Sequence, residues 1–259
     1  MDKAVVKAFV ILETLSKSES PLGVTELSKQ CDLGKSNVHR LLQTLQNLKF
    51  VEKTDDNNYR ASLRMWELGS HIISSLNLRD IARPLMQKLS STTNEAVHLS
   101  ILDRFEVLYV EKIESKEPVR AYTQLGGRAP AYCTATGKAM MAYLDPEQIK
   151  NCYETVTKYT PKTIDDLDRF LVEAERIRER GFAVNRGEWR ADIIGLASPI
   201  LGSDGSVVSS IGLSAPASRL HVDEIETFAP HLLEYAERIS KSLGCSKKQW
   251  SAIGNGTTS

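Results

Sequence analysis

The sequence predicts an α+β chain of two unequal domains, a small winged helix-turn-helix followed by a larger domain around a largely antiparallel sheet. Length is the first reason, since 259 residues exceed one average domain and fall short of three. The second is the N-terminal third, where three short segments of helical periodicity precede two strand-like runs with a polar tip. The third is the remainder, in which strand-like runs joined by hairpin signals interleave irregularly with helices. Hydrophobic residues are 41% of the chain and charged residues 25%, which supplies a core and excludes disordered or fibrous classes.

Over residues 4–17, Val5, Ala8, Phe9, Leu12 and Leu15 recur at helical spacing, and Ser20-Pro21-Leu22-Gly23 breaks the pattern. Thr25 is read as the N-cap of a second helix over 26–31, with Glu26 in its first turn. Asp32-Leu33-Gly34 then turns the chain into a third helix over 35–48, whose apolar face is Val38, Leu41, Leu42, Leu45 and Leu48. Its opposite face carries Ser36, Arg40, Gln43 and Asn47, with Asn37, His39 and Thr44 beside them. No carboxylate stands between Asp32 and Glu52, whereas Lys35, Arg40 and Lys49 do. The chain has 33 basic and 33 acidic residues, so this basic patch is local. It is the pattern a helix facing DNA needs.

Residues 50–53 and 59–62 flank Thr54-Asp55-Asp56-Asn57-Asn58 and predict a β-hairpin, the wing. Thr25, Ser36, Asn37, Arg40, Gln43 and Thr44 are expected to face bases or phosphates, and Lys35, Lys53 and Arg60 to hold the phosphate backbone. The plainer alternative is a three-helix packing unit that binds no nucleic acid.

A connecting helix is predicted over 63–78, and a further helix over 79–91 with Pro84 near its start. Strands are predicted at 96–102, 107–113 and 119–123, the first two joined through Asp103-Arg104-Phe105-Glu106. Helices follow at 136–144 and 164–180. The apolar runs 191–201 and 207–214 are joined by Gly202-Ser203-Asp204-Gly205, a hairpin signal. A last helix covers 222–243, and the polar tail 246–259 is read as disordered. The predicted domains are thus 1–62 for DNA, 63–78 as linker, 79–245 for a ligand, and the tail.

Other chemistries find little support. Cys31, Cys133, Cys152 and Cys245 form no Cys-x-x-Cys pair, and no apolar signal segment opens the chain, so a reducing cytoplasm is expected. No apolar run is long enough to span a membrane, and the histidines make no metal-ligand cluster. Gly137-Lys138 invites a phosphate-loop reading, but Tyr132 stands where the earlier glycine belongs and Ala139 where Ser or Thr does. Cys133, His98 and Asp192 could be imagined as nucleophile, base and orienting acid, yet no spacing supports them. A buried cysteine and a sheet histidine are the blander readings. Neither enzymatic activity nor a cofactor is expected. The helix start at Thr134 to Thr136 offers unpaired N–H groups that suit a carboxylate, although Thr134 or Thr136 can equally be a plain cap.

Leu33-Gly34-Lys35-Ser36-Asn37-Val38-His39-Arg40-Leu41-Leu42-Gln43-Thr44-Leu45 resembles the recognition-helix motif of the IclR family of bacterial regulators. Pro130-Ala131-Tyr132-Cys133-Thr134-Ala135-Thr136-Gly137-Lys138-Ala139 resembles that family's segment entering a helix at the effector pocket, and Gly181 through Pro199, with Glu188, its second motif. Asp32 stands where the family usually has Gly, Asn185 where it has an acid or serine, Gly195 where a small Cys, Ser or Ala is usual, and Asp192 where Gly is common. Leu201-Gly202 departs from the family's aromatic-Asp ending.

The resemblance implies a GAF-like α/β sensor domain with a central antiparallel sheet. It also implies homodimers or dimers of dimers on palindromic double-stranded operator DNA, and a small organic-acid effector. By position it places Ala129, Ala135, Thr136, Asn185, Gly195, Gly212 and Ser214 at the effector pocket, with Thr134 at the helix start. A repressor of a catabolic operon is the expected output. The alternative from another class is a stand-alone metabolite-binding or hydrolytic domain whose N-terminal helices bind protein.

Overall fold

The computed structural model describes residues 2–68, 78–119, 121 and 123–253. The chain divides into two compact units, residues 1–76 and 77–259. In the first, α1 (Lys3–Lys17) is capped by Asp2, whose carboxylate accepts from the Ala4 N–H at 2.8 Å. Then come α2 (Val24–Gln30), α3 (Lys35–Asn47) and an antiparallel hairpin of β1 (Val51–Lys53) and β2 (Tyr59–Ala61). Leu22 and Tyr59 exchange two 2.9 Å backbone bonds, which tie the segment before α2 to the hairpin. Ile11, Leu15, Leu27, Val38, Leu42, Leu45 and Val51 form the core.

Three expectations are corrected in this unit. The second helix starts at Val24, with the Gly23 N–H donating to Glu26 at 3.0 Å, so Thr25 lies exposed in the first turn and caps nothing. Leu48 is 57% exposed, because α3 ends at Asn47 and Lys49, at φ +63°, reverses the chain. Val5 and Phe9 are exposed as well: α1 buries Ile11, Leu12 and Leu15, in its C-terminal half, where it meets α2 and α3.

Residues 64–68 are helical, and the remainder of the predicted connecting helix, 69–77, lies outside the described residues. The second unit begins with α4 (Leu78–Thr93), which holds Pro84 in its interior rather than near its start. Its missing N–H forfeits one helical bond.

A six-stranded antiparallel sheet follows, in the order β5-β4-β3-β8-β7-β6. It is built from β3 (Ala96–Asp103), β4 (Glu106–Ile113), β5 (Arg128–Pro130), β6 (Ala183–Asn185), β7 (Ile193–Leu201) and β8 (Val207–Pro216). The strand expected at 119–123 is absent among its described residues. The chain turns back later, through Gly126 at φ +74°, so 128–130 becomes the strand that pairs β4. A 3₁₀ turn (Ala131–Cys133) leads into α5 (Ala135–Met141), followed by α6 (Pro146–Tyr153) and α7 (Leu167–Arg180). Helix α6 has no counterpart among the expected elements, although Asp145-Pro146 is a helix-start signal.

The single helix expected over 222–243 is two, α8 (Val222–Glu226) and α9 (Ala229–Ser242), because Pro230 in the first turn of α9 cannot continue an earlier helix. The tail expected to be disordered holds α10 (Lys247–Ser251), capped by Ser246. Trp250 packs on the core, and the Gln249 amide donates to the Ser203 carbonyl at 3.2 Å. Residues 254–259 lie outside the described residues.

Strand alternation divides the sheet into two faces. Leu99, Ile194, Leu196, Ile211 and Leu213 pack under α4 and α9. The other face, under α5, carries small residues instead: Gly195, Ala197, Gly212 and Ser214. A Cβ on Gly212 would meet Thr136 Cγ2 at 2.7 Å, and one on Gly137 would meet the Ala131 carbonyl oxygen at 2.1 Å. These two glycines let α5 press on the sheet and on its own lead-in turn.

Candidate functional site

The first unit presents α3 with its apolar side in the core and its polar side in solvent. Lys35, Ser36, Arg40, Gln43 and Thr44 are exposed, and Asn37 is half-buried. Arg40 donates to Asn37 Oδ1 at 3.2 Å, and the Thr44 hydroxyl donates to the Arg40 carbonyl at 3.1 Å. The pair Asn37–Arg40 is therefore pre-arranged on the surface, while Thr44 is partly spent on its own helix. On the wing, Lys53 lies 5.9 Å from the Tyr59 ring centroid. Arg60 pairs with Glu52 at 2.8 Å, both exposed, which tempers its charge. The turn before α3 runs through Asp32 at φ +51°, a left-handed conformation in which glycine is unstrained.

The second unit encloses a cavity of about 40 Å³ between α5 and the small-residue face of the sheet. Two adjacent cross-strand rows face α5, and His98, Ser214, Gly195 and Asn185 from them border the cavity. One runs His98–Gly212–Ala197 and the other Ser214–Gly195–Asn185, so all six side chains or Cα hydrogens face the same way. Thr134, Ala135 and Thr136 border it from α5, Tyr109 from β4, and Trp189 and Arg190 from the loop after β6. A second cavity of about 200 Å³ shares Tyr109, Thr123, Trp189 and Arg190 with it.

Within that enclosure, His98 Nδ1, Thr136 Oγ1 and Ser214 Oγ are buried without a hydrogen-bond partner. Orphans of this kind cost about 1–3 kcal/mol each, and three facing one cavity mark it as a place for a polar guest. Burial also pushes the His98 imidazole down to about 4 and the Tyr109 phenol up to about 12, so both are neutral near pH 7.

Other positions read from the sequence fall differently. Thr134 Oγ1 accepts from the Gly137 N–H at 3.2 Å, the plain cap. Asn185 Oδ1 accepts from the Gly187 and Glu188 N–H groups at 3.0 and 2.9 Å, so its carbonyl is spent on the loop. Ala135 and Gly195 border the cavity, Gly212 sits behind Thr136, and Ala129 is buried in the core beside Val107 rather than at the cavity wall. Asp192 is exposed.

His98, Tyr109, Trp189 and Arg190 were missed as cavity residues. The one available signal was a lone histidine in an apolar strand. Lys138 has a further role that spacing could not show. It is fully buried, with its ammonium 2.7 Å from both the Val184 carbonyl and Glu188 Oε1 and 3.9 Å from Glu173. It thereby ties α5 to the loop that carries Trp189 and Arg190.

Among the described residues Cys133 is not an activated nucleophile. The Cys133 thiol is buried, pushed up to about 12 chiefly by that burial, and donates weakly to the Pro130 carbonyl at 3.7 Å. Among the described residues there is no cluster of three or more metal-ligating side chains, and no helix is long and apolar enough to cross a membrane.

The IclR helix-turn-helix family model matches residues 4–55, and that of the bacterial transcriptional regulator IclR C-terminal region matches residues 70–241. The chain is 31% identical over 244 residues to the HTH-type transcriptional regulator KdgR of Escherichia coli, covering 93% of this chain and 92% of that one. It is 31% identical to the HTH-type transcriptional repressor AllR of Salmonella typhi, covering 93% and 90%. An IclR homologue from Microbacterium hydrocarbonoxydans, solved with 4-hydroxybenzoate, has the same fold, with a TM-score of 0.82 at 23% identity over 93% of this chain and 99% of that one. With a helix-turn-helix in the first unit and both family models matched, the chain belongs to the IclR family of bacterial transcription regulators.

Proposed function

We propose that this protein represses a catabolic operon from the cytoplasm and is released or retuned by a small organic acid held in the cavity under α5. The observation that carries the effector reading is the convergence of three unpaired, buried polar atoms, on His98, Thr136 and Ser214, on one small enclosure. A ligand that supplies partners to such groups relieves their cost, and these three, unlike the unpaired Ser100, Tyr143 and Ser209 hydroxyls, border one cavity. The 4-hydroxybenzoate bound by a protein of this fold is a carboxylate of the same class.

In this reading residues 1–62 bind DNA, 63–78 connect, and 79–245 bind the effector. Two α3 helices of a homodimer enter successive major grooves of a palindromic operator, with Ser36, Asn37, Arg40 and Gln43 at the bases and Lys35, Lys53, Thr25 and Arg60 near phosphates. Asn185 contributes its amide N–H groups to the effector, and the glycines and alanines leave it room. The effector acts by binding one arrangement of the sensor domains, in a dimer or a dimer of dimers, more tightly than another.

The test is a titration of full-length protein on the DNA upstream of its own gene and its neighbours, at several salt concentrations, with and without a panel of small carboxylates. Salt-sensitive, specific binding that one carboxylate weakens supports the reading. Specific binding that no carboxylate alters removes the effector, and binding no tighter than to random DNA removes the operator.

A further inference from the structure

We propose that His98 neutralises the effector's acid: when a carboxylate enters the cavity, the imidazole takes up one proton from solvent and becomes its counter-ion. The inference rests on the reading of the cavity as a carboxylate site. It starts from a mismatch: among the described residues the formal positive charge bordering the enclosure is that of Arg190, which is exposed and stacked on Trp189, and no cation is buried against the cavity's unpaired polar atoms. Helix α5 has only seven residues, so its dipole is a weak substitute.

The groups facing His98 bear this out element by element. On its own strand its same-face neighbours are Ala96 and Ser100, and on β8 they are Ser210, Gly212 and Ser214, all uncharged. On β4, Tyr109 meets the imidazole edge-on at 5.3 Å, and its phenol stays neutral. Lys112, the cross-strand partner, has its ammonium on the Thr123 carbonyl at 2.7 Å and on Glu114 at 2.5 Å. From α5 come Thr136, uncharged, and Lys138, which is committed to Glu188 and the Val184 carbonyl. From the loop after β6, Arg190 is exposed and stacks on Trp189 at 5.0 Å, and its charge reaches Tyr109.

Among the described residues, then, His98 is the group that borders the cavity, lacks a partner at Nδ1 and can still gain a charge. A buried anion without a counter-charge costs several kcal/mol, and a carboxylate within about 4–6 Å raises a histidine's proton affinity. Because the free imidazole is held at about 4, it is neutral before binding and has a proton to gain. The complex therefore holds more protons than the free protein between about 4 and the raised value in the complex. Affinity for the acid rises as pH falls through that window, by up to about tenfold per unit.

The experiment is isothermal calorimetry on the full-length protein with 4-hydroxybenzoate, benzoate, lactate and succinate. The best binder is then followed from about pH 7 to about pH 5 in buffers of different ionisation enthalpy. The expected result is uptake approaching one proton and affinity climbing toward low pH. His98→Gln should bind more weakly, with a flat profile and no uptake. Wild-type binding that is flat with pH and takes up no proton overturns the proposal and leaves the permanently charged Arg190 as the counter-ion, and a slope that persists in His98→Gln overturns it too, because another titrating group then carries the uptake. If none of the four acids binds, the carboxylate reading fails and takes this inference with it. Should His98→Gln not fold, imidazole nitrogen shifts of wild-type His98, read with and without saturating acid, decide the same question: shifts that move to the protonated form support the proposal, and unchanged shifts overturn it.

Discussion

The recognition helix and the sensor cavity treat polar side chains in opposite ways. On α3, Lys35, Ser36, Arg40 and Gln43 stand in water, which satisfies them until DNA replaces it. In the cavity, His98, Thr136 and Ser214 have been taken out of water and given no partner. A surface reader costs the fold almost nothing and draws its energy from the partner. A cavity reader is a standing penalty on the fold that the ligand relieves. Substitutions in the two regions should therefore differ in sign as well as size.

The largest effects should come from what frames the cavity. Lys138→Met leaves Glu188 buried beside a neutral chain and should cost about 3–5 kcal/mol in chemical denaturation of the second unit. A cost below about 1 kcal/mol would mean that the ion pair does not hold α5 to the loop. Gly137→Ala, with its Cβ driven against the Ala131 carbonyl, should likewise cost several kcal/mol.

Next comes Arg40→Ala, which should lower operator affinity by roughly 10–100-fold at fixed salt while leaving unfolding within about 0.5 kcal/mol of wild type. Comparable losses in both would collapse the distinction between the two regions. Ser214→Ala sharpens it most. Removing an orphaned hydroxyl should stabilise the effector-free protein by up to about 1 kcal/mol and weaken effector binding by roughly threefold to tenfold. Destabilisation would show that Ser214 already has a partner in solution. Smallest is Asp32→Gly, which relieves a left-handed residue before α3 and should raise stability by less than about 1 kcal/mol, seen as a small rise in Tm.

The same contrast explains what was legible in the sequence. The DNA-reading surface lies within one short segment, so periodicity and the absence of carboxylates between Asp32 and Glu52 expose it directly. The cavity is drawn from β3, β4, β6, β7, β8, α5 and two loops, and its shape depends on Gly212 meeting Thr136 across a wide sequence separation. No local pattern records that meeting. Of the positions taken from the resemblance, Thr134, Ala135, Thr136, Asn185, Gly195 and Ser214 border the cavity while Ala129 lies in the core, and His98, unpaired at Nδ1, was not among them. Boundaries slipped for physical reasons of the same kind. Pro230 divides a helix that periodicity alone joins, and the tail gains order through Trp250 and a bond to Ser203, contacts made only after the chain has folded back.

The strand order carries a consequence for the timing of synthesis. The middle of the sheet joins β3 to β8, so Ala96–Ser100 must wait for Ser210–Ser214 to be made before the central ladder can close. Contacts between segments so far apart close slowly, and they close after the N-terminal unit has left the ribosome. The cavity straddles that seam, with His98 on one side and Leu213 and Ser214 on the other. A ligand lodged there would touch both sides of that join, which can form only once both strands have been made. Its concentration would thus set how long each newly made copy survives proteases, as well as where that copy sits on DNA.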